Sequence, residues 1–438
     1  MLTSLHLLRK RRFLPLFATQ LLNAFNDNLF KNAMVLFVVY TFYDSQAEEA
    51  QFSAIASGVF ILPFFLLSAL AGQLADLTDK ATIIRRVKAA EIGIMLVGAA
   101  GLYLAWQSGR ESDFAMPLLL TALFAMGVHS TFFGPIKYAI LPQHLKREEV
   151  LAGTGLVEAG TYVAILAGTI LAGYISVRWA ALVVIVAALV GYVTSLQVPP
   201  APPFETNGKL DRNILRSSVT LIRNTTAQRE VFYAILAISF FWTIGAVLFI
   251  QFPPLAKNVL NASKEVASLF LVIFSIGVAI GSVAINALLK GEVSARYAPA
   301  SVLFMGGFVA LFYFVCRAWE RQAVPAGLLD VASFLAQPLA PLVLGTLLLI
   351  AIAGGMFVVP LYAFLTTKCD PAQAARTVAA NNIVNSGAMV VGSLIAGALS
   401  AVGIPLVEQL LLSAGMSVIS AWLGARLHRA ERLAGAPA

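Results

Sequence analysis

Residues 53–88 read SAIASGVFILPFFLLSALAGQLADLTDKATIIRRVK, and this stretch indicates the class of fold. Positions 53–75 carry no charged side chain, and about 20 mostly apolar residues are enough for one membrane-crossing helix. A short charged loop from Asp76 to Lys80 follows, and a second apolar run begins at residue 83. Two apolar runs joined by a short loop are typical of helices that cross a membrane in opposite directions.

The rest of the chain repeats this pattern. Of its 438 residues 59% are hydrophobic and only 12% are charged, whereas about 25% are charged in a typical soluble protein. Runs of membrane-spanning length occupy residues 13–41, 53–75, 83–106, 115–139, 151–173, 178–197, 231–252, 266–288, 299–316, 341–365, 378–399 and 405–424. The sequence therefore predicts an all-α polytopic membrane protein with 12 transmembrane helices.

Basic residues are distributed unevenly between the two sides of these spans. With the N-terminus in the cytoplasm, 22 of the 30 Lys and Arg residues are cytoplasmic, including the group from Lys80 to Lys88. Six lie outside, and Lys31 and Lys137 lie within spans. Because cytoplasmic loops are enriched in Lys and Arg, both termini are predicted to be cytoplasmic. The net charge of +8 suits lipid head groups, and no nucleic-acid partner is predicted.

Residues 198–230 separate the chain into two halves. They carry four prolines within 199–203 and then polar residues, which is typical of a linker. We predict an N-terminal six-helix bundle over 1–197, a cytoplasmic linker over 198–230 and a C-terminal six-helix bundle over 231–438. Residues 324–337, on the outer side, are predicted to form a loop rather than a short interfacial helix.

Part of the chain matches itself without gaps after a shift of 224 residues. Matched pairs are Tyr138 with Tyr362, Gly168 with Gly392, and Gly173 with Gly397. The same shift places Glu158 on Asn382 and, outside the matched segment, Asp27 on Gln251. Two parallel six-helix repeats about a central site are a design of membrane proteins that work by alternating access.

The first span contains charged and amide side chains at bilayer depth. These are Asn23, Asn26, Asp27, Asn28, Lys31 and Asn32. A charge at this depth costs about 2.5–3.5 kcal/mol on insertion scales, so each needs a structural or functional reason. Lys31 lies one helical turn beyond Asp27 on the same face, so the two could form a self-neutralising pair for helix packing. Six polar residues exceed the needs of one pair, and we favour a polar stripe that lines a cavity.

Further polar residues lie in spans 4, 5 and 11. Lys137 could extend its ammonium to the cytoplasmic interface or pair with Glu158, and both interpretations stay open. Glu158 lies too deep to reach the interface, so we expect it to have a partner or to face a substrate. His129 is interpreted as a packed, hydrogen-bonded residue rather than a proton carrier. The amides of Asn381 and Asn382 suit helix contacts or polar head groups.

No catalytic constellation is visible in the sequence. It has no phosphate-binding Gly-Lys motif, no metal-ligand spacing and no nucleophile beside a base. We therefore predict no enzymatic activity, no metal and no cofactor. The two cysteines, Cys316 and Cys369, lie on opposite membrane faces in this topology and are predicted not to form a disulfide.

The loop after the second span reads GQLADLTDK over residues 72–80 and resembles the signature loop of the major facilitator superfamily, Gly-x-Leu-x-Asp-Arg-x-Gly-Arg. Its Gly, Leu and Asp match and Lys80 keeps the final charge, whereas Leu77 and Asp79 replace the Arg and the second Gly. The resemblance implies 12 helices in two six-helix halves, with the Asp helping to hold the halves in one state. The residues expected to form this conformational switch are Gly72, Asp76 and Lys80.

More specific runs resemble bacterial lysophospholipid transporters, including those fused to acyltransferase and acyl-carrier-protein ligase domains. The runs are at residues 24–32, 135–138, 155–159, 240–242, 357–362 and 379–383. The resemblance implies inward flipping of lysophospholipids, such as lysophosphatidylethanolamine, across the bacterial inner membrane, with functional coupling to a lysophospholipid acyltransferase. Standalone members carry an Arg in span 7, where this chain is apolar from Trp242 to Ile250, which places it nearer the fused branch. The expected substrate-contacting residues are Asp27, Asn28, Lys31, Lys137, Glu158, Asn381 and Asn382.

Two other functions are compatible with this pattern. One is a proton-coupled exporter of amphipathic small molecules, with Asp27 or Glu158 as the proton site. The other is a scaffold that recruits an acyltransferase, but a scaffold has no need of charges inside the membrane.

Overall fold

The computed structural model describes residues 6–42, 46–108, 113–204, 210–322 and 327–434. Twelve long helices, α1 to α12, make up most of this part of the chain. Their bounds are Leu14–Phe42, Gln46–Leu77, Lys80–Ser108, Ala115–Ala139, Arg147–Tyr174, Val177–Leu196, Arg229–Asn258, Lys264–Leu289, Ala298–Glu320, Ala340–Thr367, Ala374–Ala401 and Leu406–Ala434. Each helix coincides with one predicted span, and the predicted all-α polytopic membrane fold is confirmed.

Eleven of the 12 helices are long and apolar enough to cross a membrane over their described residues. The helix outside this set is α1, because its polar run from Asn23 to Asn32 lowers its hydropathy. This helix packs mainly against α5 and α6. Most of its polar residues are therefore enclosed by protein, where they avoid the cost of facing lipid.

Successive long helices run in alternating directions, so the described ends of the chain and residues 197–204 and 210–213 lie on one face of the bundle. We call this face the linker face. The helix pairings of the first six helices recur in the last six. The packed pairs α1/α5, α2/α4, α3/α6, α3/α4 and α1/α6 correspond to α7/α11, α8/α10, α9/α12, α9/α10 and α7/α12.

The two sets of six helices meet mainly along two seams, α2/α11 and α5/α8. Glycines allow close backbone contact near the linker-face end of each seam. A Cβ atom at Gly72 would lie 2.7 Å from Cβ of Ala379, and one at Gly155 would lie 2.5 Å from the carbonyl oxygen of Ser282. Away from the linker face, α11 exposes the apolar side chain of Leu394. The described halves are thus tightly closed at the linker face.

The linker contains a helix that the sequence analysis did not predict. The proline-rich start of the linker is hydrogen-bonded to the first half, where Asp79 accepts a hydrogen bond from the backbone N–H of Ala201 at 2.8 Å. Residues 205–209, which include the predicted cytoplasmic Lys209, lie outside the described residues. A linker helix follows over Ile214–Thr226, and the side chain of Asn213 caps its N-terminus.

The predicted loop at 324–337 is wrong for part of its length. Residues 324–326 lie outside the described residues, but Val331–Leu335 forms a short helix capped by Asp330. Phe334 is fully buried there and stacks on Trp319, with ring centroids 5.2 Å apart. This apolar anchor explains why a local helix forms in a segment with loop-like composition. Both Cys316 and Cys369 are free, as predicted.

Candidate functional site

A cavity of about 190 Å³ opens among α1, α2, α4 and α5 of the first half. Its lining residues are Gln20, Asn23, Ala24, Asp27, Asn28, Lys31, Phe60, Phe64, Ser130, Phe133, Gly134, Lys137, Thr161 and Ile165. The members from α1 recur every three to four residues, so they form one face of that helix. Of the six polar residues expected to form a stripe along the first span, four line this cavity, namely Asn23, Asp27, Asn28 and Lys31. The other two face neighbouring helices, Asn26 donating to Glu91 and Asn32 to Thr169.

Asp27 is held from behind by two hydrogen bonds. Its Oδ2 atom accepts from Oγ of Ser130 at 2.5 Å and from Nδ2 of Asn23 at 3.2 Å. Its Oδ1 atom is buried and finds no hydrogen-bond partner among the described residues. An unsatisfied buried carboxylate oxygen costs free energy, so this atom offers a contact point for a donor that enters the cavity.

Two lysines face the same cavity without a carboxylate partner in the described part of the chain. The ammonium of Lys31 lies 5.5 Å from the ring centroid of Phe60, and among the described residues no ion pair of 4 Å or less joins it to Asp27. Lys137 lies 3.5 Å from Oγ1 of Thr161 and 4.9 Å from the ring centroid of Tyr138. Lys137 lines the cavity, and within the described residues no ion pair of 4 Å or less joins it to Glu158. Two ammonium groups and one carboxylate suit a ligand that carries an anionic group and a smaller cationic one.

A second polar cluster supports Asp27 from outside the cavity. Glu91 is fully buried, pairs with Lys88 and accepts a hydrogen bond from Nδ2 of Asn26 at 2.7 Å. Nε2 of His129 lies 3.3 Å from Oε2 of Glu91, and Nδ1 of His129 lies 3.5 Å from the Ser130 hydroxyl. A chain of polar contacts therefore runs from Lys88 to the cavity carboxylate. His129 is packed and hydrogen-bonded, as interpreted from the sequence.

The sequence analysis missed the roles of Lys88 and Glu91. It placed Lys88 in the cytoplasmic basic group, whereas the side chain is completely buried beside Gly191 of α6. A Cβ atom at Gly191 would lie 2.9 Å from the Lys88 ammonium, so the glycine makes room for the charge. The sequence did contain a signal for this ion pair, because a Lys and a Glu three residues apart in a membrane span lie on the same face of the helix.

Glu158 does not line the cavity. It is buried and accepts a hydrogen bond from the hydroxyl of Tyr138. Tyr138 stacks on Tyr362 across the two halves, with ring centroids 4.7 Å apart. Tyr162 stacks in the same way on Trp242, whose Nε1 donates to the Tyr362 hydroxyl at 2.9 Å. We call Tyr138, Tyr162, Trp242 and Tyr362 the tyrosine plug.

The two predicted asparagines of α11 lie near the plug and the cavity. Nδ2 of Asn381 is 3.5 Å from the Tyr362 hydroxyl, and the residue is fully buried. A Cβ atom at Gly134, which lines the cavity, would lie 3.4 Å from Nδ2 of Asn382. In contrast, Asn28 lines the cavity itself and donates to the carbonyl of Ala24 at 2.8 Å. The second half therefore approaches the cavity through amides.

The predicted switch residues lie at the α2/α11 seam. Both carboxylate oxygens of Asp76 accept backbone hydrogen bonds, from Ala375 at 3.0 Å and from Arg376 at 3.1 Å. These donors belong to the first turn of α11, where the helix dipole favours a negative charge. Lys80 is buried at the start of α3, close enough to Asp76 for an electrostatic interaction. This arrangement ties the two halves together at the linker face.

Comparison with known proteins agrees with this architecture. The family model of the Major Facilitator Superfamily matches residues 16–337. Lysophospholipid transporter LplT of Escherichia coli O1:K1 is 27% identical over 402 residues, covering 89% of this chain and 88% of that protein. The crystal structure of the human organic anion transporter MFSD10 has a TM-score of 0.75 at 12% identity, covering 94% of this chain and 99% of that chain. A bacterial homologue of the iron transporter ferroportin, in an outward-facing state, has a TM-score of 0.67 at 15% identity, with coverages of 95% and 98%.

The family match extends over most of the chain, and the structural likenesses extend over nearly all of it. The resemblance to lysophospholipid transporters drawn from short sequence runs is confirmed by the full-length relative. The chain therefore belongs to the Major Facilitator Superfamily and is a multi-pass membrane transporter.

Proposed function

We propose that this transporter flips lysophospholipids, such as lysophosphatidylethanolamine, inward across the bacterial inner membrane by alternating access. The observation that carries the proposal is the cavity of the first half, which presents two ammonium groups and one carboxylate. A lysophosphatidylethanolamine head group has the complementary charges, one phosphate and one ammonium. The name of the 27% identical relative points to the same substrate class.

The head group is the part that this cavity would bind. In our proposal Lys31 and Lys137 contact the phosphate, and Oδ1 of Asp27 accepts a hydrogen bond from the ammonium. Charge-assisted hydrogen bonds of this kind are about twice as strong as neutral ones. At about 190 Å³ the cavity is too small for an acyl chain as well. The acyl chain would remain outside it, along the apolar outer part of the α2/α11 seam, where Val391 and Leu394 are exposed.

Alternating access would require the linker face to open. In the proposed cycle the halves 1–197 and 231–438 rock about the cavity, joined by the linker 198–230. Opening separates Asp76 from the first turn of α11 and breaks the tyrosine plug. Tyr138 and Glu158 both belong to the first half and would move together. With Tyr362 and Trp242 withdrawn, Glu158 would meet the head group after Asp27 does. The expected substrate contacts of Glu158, Asn381 and Asn382 belong to this later stage.

The orientation is part of the same proposal. We infer from the Lys and Arg distribution that the linker face is cytoplasmic, so the chain ends and the linker lie inside the cell. The released lysophospholipid would then be available to a cytoplasmic acyltransferase. A cysteine at Arg216 in intact cells tests the orientation, since an impermeant maleimide should not label it. Ready labelling from outside would show that the linker lies outside the cell and that the proposed orientation is wrong.

A second candidate is a proton-coupled exporter of amphipathic molecules. The chain of contacts from Lys88 through Glu91, His129 and Ser130 to Asp27 favours it, because such a chain can share a proton with the cavity carboxylate. The two candidates differ in their need for a proton gradient. In the lysolipid proposal the gradient is dispensable, because a lysolipid pool on one side can drive the flow.

Reconstitution tests both candidates. Proteoliposomes are supplied with labelled lysophosphatidylethanolamine, with and without a proton gradient, and inward movement is followed. We expect movement without a gradient, and a loss of at least tenfold in Lys137→Gln. Lys368→Gln is the matched control, because this lysine is exposed on the linker face, away from the cavity. Equal rates in both variants would contradict the proposed site, and strict dependence on the gradient would favour the exporter.

A further inference from the structure

The linker helix lies across the linker-face end of the α2/α11 seam. It contacts α2 from the first half and both α11 and α7 from the second. The backbone N–H of Asp211, just before the helix, donates to Oε1 of Gln73 in α2 at 2.9 Å. Ser217 and Leu221 are buried on the side that faces these helices. The linker helix is thus docked on one seam between the two halves.

The opposite side of the linker helix exposes a stripe of apolar side chains. Leu215 is 72% exposed and Val219 is 66% exposed, and the spacing of four residues puts them on one helix face. Ile222 extends the same face toward the buried Leu221. The apolar surface is therefore continuous from the protein contact to the exposed stripe, and Thr220 lies on another side of the helix.

The position of the helix indicates what covers this stripe. The chain leaves the membrane-spanning α6 at Leu196 and re-enters α7 at Arg229, so the linker helix lies at the membrane surface. Arg212 and Arg223 lie beside the apolar stripe, and Arg216 forms an ion pair with Asp211 at 2.8 Å. An amphipathic helix with large apolar residues on one side and arginines beside them suits the layer of lipid head groups, where anionic lipids attract the arginines.

We propose that the linker helix is an interfacial helix that inserts Leu215 and Val219 into the leaflet at the linker face. Its partner is the surface of a bilayer that contains anionic lipid. Because the helix also contacts α2 and α11, its insertion ties the closed seam to the membrane. The proposal concerns a part of the chain remote from the cavity, so it stands independently of the transported substrate.

Fluorescence in nanodiscs tests this proposal on the full chain. In a background of Cys316→Ala and Cys369→Ala, Val219→Cys and Thr220→Cys are each labelled with a small environment-sensitive fluorophore. The nanodiscs contain phosphatidylcholine with or without phosphatidylglycerol, and nitroxide-labelled lipids serve as quenchers. We expect label at 219 to shift to the blue and to be quenched at least threefold more strongly than label at 220.

Anionic lipid provides the second comparison. We expect phosphatidylglycerol to increase quenching at 219, and Arg212→Gln with Arg223→Gln to remove that increase. Equal quenching at 219 and 220, or none at either position, would overturn insertion and leave the stripe as a surface for a protein partner. Strong quenching at 219 that is the same with and without phosphatidylglycerol would overturn the proposed attraction to anionic lipid.

Discussion

The two halves of the molecule share their helix pairings but differ in the chemistry of their central helices. In the first half, α1 presents Asp27 and Lys31 to a cavity. In the second half, α7 carries Gln251, which is buried and donates to Oε1 of Gln409 at 2.9 Å. A hydrogen bond between neutral amides places no net charge in the low-dielectric interior, whereas separated charges favour an external partner. One repeat thus uses this polar group for packing, while the other directs its charged groups into a cavity.

The same contrast separates α3 from its counterpart α9. Helix α3 buries Lys88 and Glu91, and their contacts reach Asp27 through His129 and Ser130. The buried residues of α9 are all uncharged. The first half therefore buries charged side chains in two places. Asp27 and Lys31 lie at the cavity, and Lys88 and Glu91 lie behind it. The charged layer behind the cavity is expected to orient the carboxylate in front of it.

The largest expected effect follows from removing the cavity carboxylate. Asp27→Asn keeps the size and the hydrogen bonds to Asn23 and Ser130 but removes the charge. We expect lysolipid flipping in proteoliposomes to fall at least tenfold, while the protein still elutes as a monodisperse species. In the second half, Gln251→Asn should reduce flipping less than twofold. Similar losses in the two variants would remove the proposed difference between the halves.

A double variant separates binding from packing at the same position. If Lys31 needs Asp27 for stability, Asp27→Asn leaves an uncompensated cation, at a cost of about 2–3 kcal/mol. Replacing Asp27 by Asn and Lys31 by Gln together should restore any lost folding. Flipping should remain low in this variant. Recovery of flipping would show that Asp27 and Lys31 serve helix packing rather than substrate binding.

The next effect is on stability. Lys88→Met leaves Glu91 as a buried carboxylate without its lysine, which costs about 3–5 kcal/mol when a buried pair is broken. The free energy of unfolding, measured by denaturation in detergent, should fall accordingly. Lys88→Met with Glu91→Leu should recover most of the loss, because neither charge remains buried. A single variant as stable as the double variant would show that the pair contributes nothing.

A smaller effect is expected at the plug that joins the halves. Tyr138→Ala removes the stack on Tyr362, which is worth about 1 kcal/mol beyond buried area, or about fivefold in an equilibrium. Ser282→Cys, at the closed α5/α8 seam, should then react with a water-soluble maleimide about fivefold faster in a background without Cys316 and Cys369. Tyr103→Ala is the control, because Tyr103 is exposed in α3. Unchanged labelling after Tyr138→Ala would mean that the plug does not hold the halves together.

The last expected effect is local and concerns Cys369, between α10 and α11 on the linker face. Burial, with the carboxylate of Asp76 nearby, raises the pKa of its thiol to about 11. Since the thiolate is the reactive form, maleimide labelling should be slow at pH 7 and rise about tenfold per pH unit up to pH 9. A cysteine at the exposed Lys368 should react at an ordinary rate. Equal rates at 368 and 369 would contradict the closed packing around Asp76.

Sequence reasoning identified the cavity side chains of α1 because helical spacing is local. Asp27 and Lys31 lie one turn apart, and an unbroken helix places them on one face whatever surrounds it. The same reasoning misplaced Lys88, which it grouped with the basic loop after span 2. A lysine near the end of an apolar run can point to water or inward, and only the neighbouring helix decides. Here Gly191 of α6 provides the space.

The sequence by itself determined the number of long membrane helices, the membrane environment and the polar face of α1, because hydropathy and helical periodicity can be read from residues that are close together in the chain. Only the tertiary structure decided which charges are paired and which face the cavity. Glu158 is closed off by Tyr138, while Lys137, adjacent in sequence to that tyrosine, faces the cavity. The strength of an ionic contact depends on the distance between the groups and on their burial, and both are set by packing between helices that are far apart in the chain.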